Sequence, residues 1–133
     1  MANVARRLIA PEDLHPTPGY SHVVVAAGSR LVFLAGQVAL DRDFTIVGGA
    51  DLAEQTRRAM HNVGVALGAA GAGWEDVVRR TIYTTRPTEF EEIAAAIDDV
   101  TGGAPQPAQT IVGVSGLALP GLLIEIEVTA MIL

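Results

Sequence analysis

The sequence predicts an α+β domain in which a single mixed β-sheet carries two helices on one face, and three observations lead there. β-rich runs alternate with two amphipathic helical stretches in the order β-β-α-β-α-β-β. The last run, Leu122-Leu123-Ile124-Glu125-Ile126-Glu127-Val128-Thr129-Ala130, alternates apolar and polar residues, so Ile124, Ile126, Val128 and Ala130 share one face while Glu125 and Glu127 share the other. Finally, 133 residues, 50% of them hydrophobic, are enough for one real core and too few for two, so residues 1–133 read as one domain. With both helices on one face, the opposite sheet face is uncovered, and the surplus apolar surface is best buried against another subunit.

In chain order, Val23 to Ala27 and Leu31 to Gln37 are β-rich runs flanking Gly28-Ser29-Arg30, which reads as a hairpin. A short extra strand is expected around Phe44 to Val47, and Gly48-Gly49 marks a turn. From Asp51 the pattern becomes helical, with Leu52, Thr56, Ala59, Val63, Ala66, Leu67 and Ala70 recurring at spacings of three and four. Asp51 with Glu54 resembles a capping box, and Gly71 is a natural stop. Gly64 and Gly68 inside this helix each cost about 1 kcal/mol relative to Ala, which implies a close neighbour. Val77 to Thr85 is the third strand. Thr88 then opens a second helix, with Glu91 at the capping-box position and Phe90, Ile93, Ile97 and Val100 as its buried stripe. Gly102-Gly103 ends that helix, and Pro105 and Pro107 prevent its continuation into the penultimate strand.

Composition excludes several function classes. All nine basic residues are Arg, cysteine is absent and the formal charge is −6. Thiol catalysis and disulfides are therefore excluded, as is any lysine Schiff base. No basic stripe suits a nucleic-acid backbone; Arg6-Arg7, Arg57-Arg58 and Arg79-Arg80 read as solvated faces or salt-bridge partners. No apolar run reaches the length of a membrane span, and the first residues lack the pattern of a secretion signal, so a cytoplasmic protein is expected. His15, His22 and His61 show no metal-ligand spacing, Ser21 and Ser115 lack a nucleophile elbow, and no cofactor or metal is expected. His22 is close enough to Tyr20 in sequence to reach the same cleft, although an exposed or packed role is preferred.

Burying a carboxylate without partners costs several kcal/mol, so either the face carrying Glu125 and Glu127 is wet or one of them has a purpose. These residues also carry a resemblance. Pro18-Gly19-Tyr20, Leu34-Ala35-Gly36-Gln37, Ala69-Ala70-Gly71, Val77-Val78-Arg79-Arg80-Thr81, Phe90, Pro107-Ala108 and Ile124-Glu125-Ile126-Glu127, in this order and spacing, resemble the RidA/YjgF family over nearly the whole chain. The resemblance implies a chorismate-mutase-like α+β fold assembled as a homotrimer with its sheets facing inward and ligand clefts between subunits.

It also implies an activity: hydrolysis of reactive enamines and imines, such as 2-aminoacrylate, to keto acid and ammonia. By resemblance Glu125 positions or activates the attacking water, the backbone N–H of Ile111 contacts substrate, Tyr20 closes the cleft, and Gly36 belongs to the substrate-binding set. Active members carry an Arg directly after the Pro-Ala, where a guanidinium pairs with the substrate carboxylate. Here that position is Gln109; the family's Cys two residues on is Ile111, and a helix Asn near the cleft is Ala94. Replacing a charged hydrogen bond by a neutral one lowers carboxylate affinity about tenfold or more. Gln109 could hold a ligand amide, a carboxylate or the water, or satisfy Glu125 by hydrogen bonding. Glu127 is expected to be structural. The reading is a diverged hydrolase acting on a small metabolite; the alternative is a non-catalytic ligand-binding or regulatory module of the same fold.

Overall fold

Alternation along the last strand sets the architecture. In the computed structural model, which describes residues 5–133, that strand is β7 (Ile124–Ile132), and it is the centre of the main sheet. Ile124, Ile126, Val128, Ala130 and Ile132 are buried on one side. β5 (Val77–Thr84) runs antiparallel to β7, and β6 (Ala108–Gly113) runs parallel to β5 at the sheet edge. On the other flank, β3 (Arg30–Phe33) and β4 (Gln37–Val38) both pair antiparallel with β7.

The helices α1 (Leu52–Ala69) and α2 (Phe90–Thr101) cover the buried side. Leu52, Ala59, Met60, Val63 and Leu67 of α1 and Ile93 and Ile97 of α2 form one cluster with Ile82, Ile124, Ile126 and Val128. Each such large side chain contributes roughly 1.5–3 kcal/mol when taken out of water. Two helices on one face of a mixed sheet is the predicted architecture. The other side of the sheet carries Thr81, Tyr83, Glu125, Glu127 and Thr129, with Leu31 and Phe33 beside them 55% and 73% exposed. No helix of the described residues is long and apolar enough to cross a membrane.

α1 begins where expected: Asp51 accepts a hydrogen bond from the Glu54 N–H at 3.1 Å. Its end is also as expected, with Gly71 in the left-handed region at φ 76°. Gly64 does have a close neighbour, since a Cβ there would lie 3.1 Å from the Trp74 ring; nothing approaches Gly68. α2 starts one residue later than read, with Glu89 as N-cap and no side-chain capping bond, so Thr88 is not its cap. Phe90, read as part of the buried stripe, is 39% exposed at the mouth of a hollow.

Three other local expectations change. Val23–Ala27 (β2) does not form a hairpin with the following run; it pairs with β1 (Ala5–Ile9) in a separate two-stranded ribbon. The turn residues carry the chain from ribbon to sheet instead. Gly28 passes so close to the end of β7 that a Cβ would lie 2.8 Å from the Ile132 carbonyl oxygen, and the Ser29 N–H donates to that oxygen at 3.0 Å. The run 31–37 is interrupted, with one residue more between Phe33 and Gln37 than between their partners Thr129 and Ile126 on β7. This bulge puts Gly36 over the uncovered sheet face. Around Phe44 there is a tight turn rather than a strand. Asp41 Oδ1 accepts from the Asp43 and Thr45 N–H groups, and Ile46 makes a single bridge to Leu40.

Candidate functional site

Strand alternation decides which candidates can meet. Gln109 and Ile111 of β6 are in register with Arg80 and Ile82 of β5, so they lie on the helix side of the sheet. β6 is an edge strand, and α2 does not reach across it. The space left is an open hollow of about 540 Å³ lined by Gln109, Ile111, Phe90, Pro87, Tyr20 and His15, among others. The segment carrying His15 and Tyr20 is tied down at its end by Ser21, whose N–H donates to the Pro107 carbonyl at 2.9 Å and whose hydroxyl donates to the Gln106 carbonyl at 2.7 Å. Gly19, at φ 82°, lies flat on α2, where a Cβ would be 3.1 Å from that of Ala94. His22 packs edge-on against both His15 and Tyr20, with centroids 4.6 and 5.9 Å away, and its Nε2–H donates to the His15 carbonyl at 2.8 Å. It therefore supports the wall of the hollow rather than standing alone.

Behind Gln109 is a residue the sequence reading placed elsewhere. Arg80, taken as solvated or salt-bridged, is 2% exposed, and no carboxylate of the described residues lies within 4.0 Å of it. Its guanidinium donates from Nε to Gln109 Oε1 at 2.6 Å, from Nη1 to Gln106 Oε1 at 2.7 Å and from Nη2 to the Gly19 carbonyl at 3.2 Å. All three acceptors are neutral. Burial pulls its pKa down to about 10, so it remains a cation at neutral pH. The signal was present in the sequence, because position 80 has the same strand parity as Ile82 and Thr84, both fully buried.

Glu125 lies on the opposite side of the sheet from this hollow. Its register partner on β5 is Tyr83, and on β4 it is Val38. Gly36 sits directly above it: a Cβ on Gly36 would be 2.0 Å from Glu125 Oε2 and 2.7 Å from its Cδ. The bulge and the glycine together make room for that carboxylate. Glu127, on the same face, accepts a hydrogen bond from the Tyr83 hydroxyl at 2.8 Å, whereas the Glu125 carboxylate has no such partner among the described residues. The bond to Glu127 is also the main reason that the Tyr83 pKa is raised, with burial and the charges of Glu127 and Glu125 adding to it. Thus Gln109, Ile111 and Tyr20 come together, Glu125 and Gly36 come together, and the two groups do not meet within one chain. Gln109 does not satisfy Glu125; its oxygen is taken by Arg80. Among the described residues no three His, Asp or Glu side chains are placed to hold a metal ion.

The chain matches the family model described as Endoribonuclease L-PSP over residues 11–132. It is similar to YyfB, a protein of the conserved Rid protein family from Yersinia pestis, whose crystal structure superposes with a TM-score of 0.89 at 41% identity over 96% of this chain and 98% of that one. A RutC family protein of Synechocystis is 32% identical over 118 residues, 88% of each chain. The human 2-iminobutanoate/2-iminopropanoate deaminase is 29% identical over 97 residues, 70% of this chain and 67% of its own.

Proposed function

The chain belongs to the RidA/YjgF family, matched by the Endoribonuclease L-PSP model, and from that premise we propose that it hydrolyses the C–N bond of a small imine in a cleft completed between copies of itself. The observation that carries this reading is the division of the candidates between two sides of one sheet. The hollow with Gln109, Ile111 and Tyr20 has walls, and His15 among them, but no carboxylate in its lining. Glu125, against Gly36, has a carboxylate without a partner but no enclosing walls. A neighbouring copy that presents its Glu125 at the mouth of the hollow supplies each group with what it lacks.

The uncovered face, with Leu31 and Phe33 exposed, suits burial of three sheets facing inward as a soluble, cytoplasmic homotrimer. In such a cleft the imine carbon faces a water held by Glu125. The carboxylate takes a proton from the water as its oxygen bonds to the imine carbon and passes that proton to nitrogen, giving a carbinolamine. The carboxylate then takes the hydroxyl proton and delivers it to nitrogen as the C–N bond breaks, leaving a keto product and ammonia. Ile111 contributes a backbone contact and Tyr20 covers the ligand. The net charge of −6 argues against RNA as the substrate.

The test is ammonia release from 2-iminopropanoate generated in situ. Wild type should accelerate release, and Glu125→Gln should abolish the acceleration while leaving the protein folded. Equal rates in wild type and Glu125→Gln would overturn the catalytic role of Glu125. Ligand binding without any acceleration would make the chain a binding module.

A further inference from the structure

Arg80 is a buried cation with no anion beside it among the described residues. Taking a guanidinium out of water costs several kcal/mol unless charge and hydrogen bonds compensate, and here only neutral oxygens do. Each of its terminal nitrogens carries a second N–H without an acceptor among the described residues. What lies between this charge and the hollow is the Gln109 side chain.

The orientation of Gln109 follows from Arg80. A guanidinium only donates, so the amide atom facing it must be Oε1, and the Nε2 amino group is turned away. Gln106 is oriented in the same way, but its amino group is used, donating to Thr101 Oγ1 at 3.1 Å. The Gln109 amino group has no acceptor among the described residues, and Gln109 lines the hollow. A cation hydrogen-bonded to the oxygen of an amide polarises its N–H bonds, and inside a protein such chains strengthen one another.

We propose that Arg80 and Gln109 form a relay that makes the hollow selective for anionic ligands, with Gln109 Nε2 touching a ligand carboxylate and Arg80 supplying the charge from behind. This rests on the hollow being the ligand site, as argued above, and goes beyond it by assigning a positioning residue on β5, Arg80, as the source of the charge that a ligand carboxylate meets through Gln109. It also revises the expectation that Gln109, as a neutral donor, lowers carboxylate affinity about tenfold or more. The buried charge is present, one strand inward of the position where a contacting arginine would stand, and is paired in register with it. Arg80 also joins three segments through Gly19, Gln106 and Gln109, so a structural role must be separated from the relay.

The experiment is an NMR titration of the full-length protein with pyruvate and with its uncharged analogue pyruvamide, following the Gln109 side-chain amino signals and the Ile111 amide. Wild type should prefer pyruvate by about tenfold, the difference between a charge-assisted and a neutral hydrogen bond. Arg80→Met should lose the preference while still binding pyruvamide, and Arg80→Lys should recover part of it, which a merely structural role does not predict. Should Arg80→Met fail to fold, Gln109→Glu still decides. It gives Arg80 a carboxylate, and should abolish the preference for pyruvate. An unchanged preference in either variant would overturn the relay and leave the site standing. Failure of both probes to move the Gln109 and Ile111 signals in wild type would overturn the site, and the relay with it.

Discussion

The two faces of the main sheet hold charge in opposite ways. Among the described residues, Arg80 on the helix side is buried among neutral oxygens with no acid in reach, while on the uncovered side Glu125 stands without a hydrogen-bond donor and its neighbour Glu127 has only the Tyr83 hydroxyl. One face buries a cation with no acid within salt-bridge distance among the described residues; the other carries two acids, with Arg79 on the same face but ion-paired to neither, and exposed apolar surface around them. Neither arrangement is the cheapest way to build a sheet. A core side chain in place of Arg80 is commonly neutral or stabilising, and a strand of this composition needs no glutamates. The difference teaches that the fold is stabilised by the covered face through packing, whereas both faces carry charged groups without an oppositely charged partner within salt-bridge distance among the described residues.

That comparison can be broken by substitution. The largest expected effect is on the covered face: Ile126→Ala should cost about 2–5 kcal/mol in denaturant unfolding, through lost burial and the cavity left behind. Phe33→Ala on the other face should cost under roughly 1 kcal/mol in an isolated chain, yet weaken self-association measured by sedimentation. Equal costs in both readouts would deny the two faces different roles.

A second prediction follows from the lowered pKa of Arg80. Folding disfavours its protonated form, so the penalty is present in full at neutral pH. It is relieved as pH rises above about 10, where the folded protein releases the proton before the unfolded chain does. Wild type should therefore gain stability relative to Arg80→Met in that alkaline window, by an amount on the order of 3 kcal/mol at most. A pH-independent difference between the two would show that burial does not burden the cation.

Smaller effects belong to the uncovered face. Gly36→Ala places a methyl group on the Glu125 carboxylate, and should cost about 1 kcal/mol in stability while removing most ammonia release, because the carboxylate must swing away. Tyr83 should ionise above the ordinary tyrosine range in an ultraviolet titration. The stabilisation linked to it is complete at neutral pH and is lost as pH rises through its raised pKa. Glu127→Gln should lower that pKa toward the ordinary value, since the charged acceptor is its main cause.

Much of the fold was legible because it is written in local periodicity. Apolar residues at every second position define β7, and Asp51 and Gly71 bound α1 by hydrogen-bonding and left-handed backbone rules that act over a few residues. β1 was missed because Arg6-Arg7 interrupts its apolar character, and its pairing with β2 is set by a partner far along the chain. The hairpin expectation failed for the same reason: adjacency favours pairing, but the close pass of Gly28 under β7 redirects the strand. For the candidate site the sequence offers residues but not their geometry. Parity along β6 and β7 could place Gln109 and Glu125 each on a face. Only the register through β5 says that the faces are opposite, and that register is a long-range property. Arg80 could have been found from parity alone, had the Arg79-Arg80 pair not suggested a solvated surface.

The central claim is that Glu125 and the Gln109 hollow act together only across copies, and mixing two disabled variants tests it most directly. Gln109→Glu disables the hollow and Glu125→Gln disables the carboxylate, so neither alone should accelerate ammonia release from 2-iminopropanoate. Co-refolded, the two should recover activity, because an intact hollow on one copy meets an intact Glu125 on another. A mixture shown to contain mixed oligomers yet no more active than its parents would contradict the claim and return the chemistry to a single chain.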